Sequence, residues 1–221
     1  MNIPADILPR GLLLAAYFVF AILFLAVALH ASWRQLANAT RLNTWLGAIV
    51  FLLVLWRLSA EVHPGQAVHF LGATLATLMF GVRLALMALT AVMLGLCALG
   101  ELEPGALPVN ALIMAAVPVA ASRAVLFTSR RLLPRHPFVY IFVPGLFGGT
   151  VAMLATGVAA VAVLWGAGVY PLHSLAGEYL LFFILLGWGE GFLTAGAITL
   201  LVVYRPEWLA TFDPRVDRPR A

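Results

Sequence analysis

Lysine is absent from the 221 residues, and cysteine occurs once, as Cys97. All thirteen basic side chains are therefore arginine, and a lone cysteine excludes both an intrachain disulfide and a Cys-x-x-Cys metal pair. No Walker-type phosphate loop is present, so the chain is not expected to hydrolyse ATP. Neither His-Glu-x-x-His nor Gly-x-Ser-x-Gly occurs, and no paired aspartates fall in neighbouring apolar runs, so the sequence offers no catalytic constellation and is read as a non-enzyme. Charge is scarce as well: 10% of residues are charged against 63% hydrophobic, the balance of a chain whose solvent is mostly lipid.

What is present is a series of long apolar runs at about 11–33, 44–60, 69–81, 83–99, 107–128, 139–168 and 178–203, separated by Gly/Pro punctuation or charge. A helix needs about 20 predominantly apolar residues to cross a bilayer. The expectation is an all-α polytopic membrane protein of about seven transmembrane helices, with residues 1–221 forming a single transmembrane helical domain. The first run exceeds a typical signal-peptide h-region, and its leader carries one arginine balanced by Asp6, so it is read as a retained helix.

The stretch from His69 to Cys97 could be one helix, but Arg83 lies near its middle and one straight helix would overrun a hydrocarbon core of roughly 30 Å. Divided in two, it sends Arg34, Arg41, Arg83, Arg123, Arg130, Arg131, Arg135 and Arg205 to one face. By the positive-inside rule that face is cytoplasmic. The N-terminus is then outside, the C-terminus inside, and the protein sits in the cell inner (cytoplasmic) membrane. Arginines in the gaps meet lipid head groups, and nothing suggests nucleic acid as a partner.

This topology gathers Asp6, Glu61, His63, His69, Glu101, Glu103, His173 and Glu178 at the outer face. Imidazole with carboxylate suits borderline divalent metals such as nickel, cobalt, copper or zinc. Ordinary readings compete: His63 beside Pro64-Gly65 is a turn residue, Glu101 and Glu103 are loop charges, and Arg57 pairs with Glu61 at i,i+4. His30 and His136 lie toward the cytoplasmic side and are read as structural. Glu190 lies inside the last run, where an ionisable group costs several kcal/mol unless it faces the bundle interior. It is either a polar lining or proton-linked group, or a packing hydrogen bond permitted by Gly187, Gly189 and Gly191. The Gly-Trp-Gly-Glu-Gly segment is not a phosphate loop, because it lies within an apolar helix.

Four features occur together: Met1-Asn2-Ile3-Pro4, the segment Val68-His69-Phe70-Leu71-Gly72, Asn110 after a Pro/Gly turn, and Gly189-Glu190-Gly191 followed by Tyr204-Arg205-Pro206-Glu207. In these the chain resembles the substrate-capture subunits of energy-coupling-factor transporters of the cobalt/nickel permease family, over most of its length. The resemblance implies a divalent transition metal as substrate, bound by the amine of Met1, the backbone nitrogen of residue 2, a histidine side chain at residue 2 and a histidine matching His69. Here residue 2 is Asn2, so Met1, Asn2 and His69 supply three nitrogens. His63, Asp6, Glu101 or Glu103 would complete the set and shift metal preference. The resemblance also implies a transmembrane coupling subunit and cytoplasmic ATPase subunits as partners. Ala15, Ala16, Ala21, Ala26 and Ala28 on the first run offer a surface for close helix association. The alternative is a non-transporting accessory subunit of a larger complex, its metal capture lost or altered by Asn2.

Overall fold

The computed structural model describes residues 2–61 and 66–214, with Glu61 described by its backbone alone. Six helices among these residues are long and apolar enough to cross a membrane: α1 Arg10–His30, α2 Ala39–Arg57, α3 Ala73–Ala98, α4 Pro104–Leu132, α5 Pro137–Gly166 and α6 Leu172–Tyr204. Asn38 caps α2 by accepting a hydrogen bond from the Arg41 amide at 3.2 Å, satisfying one of the donors a helix start leaves unpaired. Between α2 and α3 a two-residue antiparallel pair, β1 Ala60–Glu61 with β2 Ala67–Val68, closes a hairpin that the apolar pattern does not announce.

The stretch around Arg83 does divide, and the divider is Gly81. Its backbone has φ 78° and ψ 166°, a region essentially reserved for glycine. On one straight helix Gly72 and Gly95 would stand about 34 Å apart. Instead a side chain on Gly72 would collide with Leu52, and a Cβ on Gly95 would lie 3.0 Å from the adjacent Leu53. At the far end the Trp45 indole donates to the Leu84 carbonyl at 3.0 Å. α3 is therefore a folded hairpin: an eight-residue arm runs down one side of α2, reverses at Gly81, and a longer arm returns.

The turn at Gly81 lies at the arginine-rich end of the bundle. Arg83 donates to the His30 carbonyl at 2.7 Å, and the amides of Ala210 and Thr211 donate to the carbonyls of Met79 and Leu78. Arg130 also donates to the Thr211 carbonyl. His30 and His136 serve local structure: the His30 ring bonds the Ala26 carbonyl, and His136 accepts from the Phe138 amide.

α4, α5 and α6 each contain a π-helical segment, at Leu112–Ala116, Ile141–Phe147 and Leu175–Tyr179. The first precedes Pro118 and the second contains Pro144. A proline lacks the amide for an α-helical bond and crowds the carbonyl four residues back, and a widened turn relieves both.

α5 and α6 meet along a seam of small residues. A Cβ on Gly149 would lie 3.0 Å from Gly191 Cα, and one on Gly191 would lie 2.5 Å from the Leu146 carbonyl oxygen. Close backbone approach replaces the hydrophobic drive that lipid cannot supply. By contrast α1 buries only Ala16, with Leu14, Phe18, Ile22 and Leu25 directed outward.

The seam yields a test. Gly191→Ala forces two backbones apart and is expected to destabilise the protein by about 1–3 kcal/mol, the usual cost of overpacking. Gly196→Ala, with nothing within 4 Å of the added carbon, is expected to be neutral. Thermal unfolding of the two purified variants in detergent measures the difference, and equal midpoints would refute the close-packed seam.

Candidate functional site

At the end of the bundle opposite the Gly81 turn, a cavity of about 710 Å³ is lined by residues from five segments, among them Asn2, Trp56, Arg57, His69, Met93, Glu101 and Met114. Two stretches of non-helical backbone reach it, and each is held by side chains.

The first is the N-terminal segment. Ile3 is fully buried and Leu8 nearly so; their burial draws the segment into the bundle. Buried backbone must find hydrogen-bond partners, and Asn110 supplies them for Ile3. Its Oδ1 accepts from the Ile3 amide at 3.0 Å, and its Nδ2 donates to the Ile3 carbonyl at 2.9 Å and to the Ala106 carbonyl at 3.1 Å. A carboxamide is the one neutral side-chain group that can mimic a peptide in both directions. Further along, the Ala5 amide donates to Glu103 Oε2 at 2.9 Å, and Asn2 Nδ2 donates to the Glu101 carbonyl at 2.8 Å.

The second stretch carries His69. The residue is buried, 6% exposed, and its ring lies against Trp56 with centroids 4.8 Å apart. His69 Nδ1 is 2.9 Å from the Phe70 carbonyl oxygen. A carbonyl only accepts, so Nδ1 is the donor in this contact; in a neutral ring that tautomer is the one that ligates metals through Nε2. The Trp56 indole donates to the Leu71 carbonyl at 3.0 Å. The amides of Leu71 and Gly72 donate to the two oxygens of Glu190, at 2.9 and 2.7 Å. These bonds join α6 to a loop rather than to another helix.

Asn2 and His69 thus face one cavity. Met1 and His63, the other expected metal residues, lie outside the described residues. Asp6, Glu103, His173 and Glu178 do not line this cavity, and among the described residues no group of three His, Cys, Asp or Glu stands close enough to hold a metal. Among the described residues, the polar residues assigned to the outer face do not converge as a single cluster.

Arg57 pairs with Glu101, Nε to Oε1 at 2.7 Å; the side chain of Glu61, the partner suggested by the sequence spacing, lies outside the described residues. α2 stops at Arg57, so Glu61 is not one helical turn further along the same face. Glu103 is more than a loop charge, since it holds the Ala5 amide. The roles of Asn110 and Glu190 span 107 and 119 residues and leave only one trace in sequence: a polar residue inside an otherwise apolar helix.

Comparison with known proteins bears on this arrangement. The family profile described as the cobalt uptake substrate-specific transmembrane region matches residues 2–208. No curated protein matches significantly. Among solved structures, the crystal structure of a truncated transition metal transporter superposes with a TM-score of 0.74 at 17% identity, covering 91% of this chain and 98% of that one. At that identity the likeness establishes the fold.

The Asn110 clamp can be probed through the missing lysines, because the N-terminal amine is then the sole primary amine in the chain. Asn110→Ala strands buried backbone groups at about 1–3 kcal/mol, so release of the N-terminal segment should become easier. The expected result is amine labelling by an N-hydroxysuccinimide ester roughly 10- to 100-fold faster, each factor of ten corresponding to about 1.4 kcal/mol. An unchanged labelling rate would show that Asn110 does not hold the segment.

Proposed function

The chain belongs to the cobalt uptake substrate-specific transmembrane family, and from that premise we propose that it is the membrane subunit that captures a divalent transition-metal ion, nickel or cobalt, at the extracytoplasmic face and passes it inward. The observation that carries the proposal is the convergence of the clamped N-terminal segment and His69 on one cavity. The proposed ligands are the Met1 amine, the Asn2 backbone nitrogen and the His69 ring, with His63 as the candidate for a fourth.

In this reading the protein supplies orientation. Asn110 fixes the direction in which the N-terminal segment enters, and the Phe70 carbonyl selects the His69 tautomer. Trp56 restricts the ring to one face of the cavity. The Arg57–Glu101 pair stands at the cavity wall, where it can exchange with water as an ion enters. Nitrogen donors favour nickel and cobalt over magnesium or calcium, and copper and zinc are the nearest competitors.

We assign seven crossings or part-crossings, counting the short arm Ala73–Phe80 of α3 separately, with the cavity outside and the Gly81 turn inside. The positive-inside rule supports this orientation, since Arg83, Arg123 and Arg130 gather at the Gly81 end. The whole chain then works as one transmembrane domain in the inner membrane. Lacking a phosphate loop, it would draw energy from separate cytoplasmic ATPases through a transmembrane coupling subunit, for which the outward face of α1 is the proposed contact. An enzymatic role has no support.

One observation favours a second reading, that of an accessory subunit without metal capture. The Asn2 side chain is engaged with the Glu101 carbonyl, a structural use of the position where the resemblance implies a ligand.

Metal analysis separates the two. Protein purified with its native N-terminus is expected to bind one equivalent of nickel or cobalt by elemental mass spectrometry and calorimetric titration. Binding should be lost when one residue is added ahead of Met1, and lost in His69→Ala with helical circular dichroism preserved. Absence of binding to nickel, cobalt, copper and zinc alike would select the accessory reading.

A further inference from the structure

The stretch Phe70–Gly72 is irregular backbone at the start of a short arm within the bundle. In a membrane such backbone survives only where protein satisfies every polar group. The Phe70 carbonyl is taken by His69, the Leu71 carbonyl by Trp56, and the Gly72 carbonyl accepts from Ala76 at 3.0 Å. Of the three amides, those of Leu71 and Gly72 both go to Glu190. His69 and Trp56 flank the stretch closely in sequence or space, whereas Glu190 belongs to the last helix.

The neighbours of Glu190 share the task. A Cβ on Gly189 would lie 2.9 Å from the edge of the Phe70 ring, so the absent side chain at Gly189 is the surface on which Phe70 rests. On its other side Gly191 is packed against Thr150 and Leu146 of α5. The three residues Gly189-Glu190-Gly191 thus lock α6 to α5 and seat the His69 loop in the same turn.

We propose that Glu190 is a positioning residue for the capture site, and that the Gly189-Glu190 seat ties the place of His69 to the placement of α6. The hydrogen bonds of the carboxylate go to the main chain. It acts through the Leu71 and Gly72 amides, one bonded residue beyond Phe70, whose carbonyl orients the His69 ring. A shift of α6 along or about its axis carries the loop with it and moves His69 away from the N-terminal segment. Release of the ion is then controlled from a helix that reaches the arginine-rich end of the bundle. The metal part of this inference rests on the reading of His69 as a ligand; the seating part does not.

Two variants and two measurements test it, on the full-length chain with its native N-terminus in detergent. Glu190→Gln keeps the shape but turns an acceptor into a donor facing an amide. Gly189→Ala leaves the carboxylate and displaces Phe70. Hydrogen-exchange mass spectrometry of peptides covering residues 69–73 should show faster exchange at Leu71 and Gly72 in both variants, with helical circular dichroism unchanged. Nickel and cobalt titration should show affinity reduced by about 10- to 100-fold, the usual effect of losing a group that orients a ligand, with altered d–d absorption of the bound ion. Glu190→Asp is expected to recover part of the affinity. Unchanged exchange in Glu190→Gln overturns the seat. Faster exchange with unchanged metal affinity and spectrum overturns its role in capture. A wild type that binds no metal, with exchange still raised in the variants, leaves the seat standing and removes the metal reading instead.

Discussion

Backbone amides and carbonyls inside a membrane have no water to turn to, so every departure from helix must be satisfied by the protein itself. This chain departs twice near one cavity, at Asn2–Leu8 and at His69–Gly72, and in both places a single polar residue from a distant helix does much of the work. Asn110 takes both backbone groups of Ile3; Glu190 takes the amides of Leu71 and Gly72. The choice of residue follows the demand. A segment presenting one donor and one acceptor meets a carboxamide, and a turn presenting two donors meets a carboxylate, whose oxygens only accept when ionised.

These clamps depend in turn on the glycines. Glu190 can reach the loop because Gly189 and Gly191 let α6 approach Phe70 on one side and Leu146 on the other. The short arm of α3 can start at Gly72 and end at Gly81 because both adopt positive φ. Without the reversal at Gly81, α3 would be one long helix, and Gly72 and Gly95 could not both lie beside the end of α2. The cavity exists because a loop is held where a helix would otherwise have continued.

The helices were legible from apolar runs and their punctuation, and the division near Arg83 from the length a bilayer permits. The boundaries moved: α4 and α6 extend past both ends of their apolar runs, and α5 begins two residues before its run and ends two residues short of it. The shared location of Asn2 and His69 was readable only through family resemblance, since 67 residues of sequence separate them and no periodicity links the two. Arg57 shows the limit of local rules. An i,i+4 spacing to Glu61 presumes a continuous helix, and α2 ends at Arg57, where the guanidinium also meets Glu101 on a loop 44 residues further along the chain. Asn110 and Glu190 stood out as polar residues in apolar helices, but their partners are set by packing across more than a hundred residues.

Position 2 is where structure and resemblance pull apart. A histidine there would offer a ring nitrogen; the carboxamide of Asn2 instead ties its Nδ2 to the Glu101 carbonyl, and its buried Oδ1 has no hydrogen-bond partner among the described residues. Under the proposed reading the side chain therefore contributes to the shape of the N-terminal segment and the main chain contributes the nitrogen. With fewer ring nitrogens in the donor set, water in a cavity of about 710 Å³ has room to complete the coordination sphere. A mixed nitrogen and water field lowers the preference for square-planar geometry and favours ions that accept five or six ligands. Among the proposed substrates this moves the balance from nickel toward cobalt.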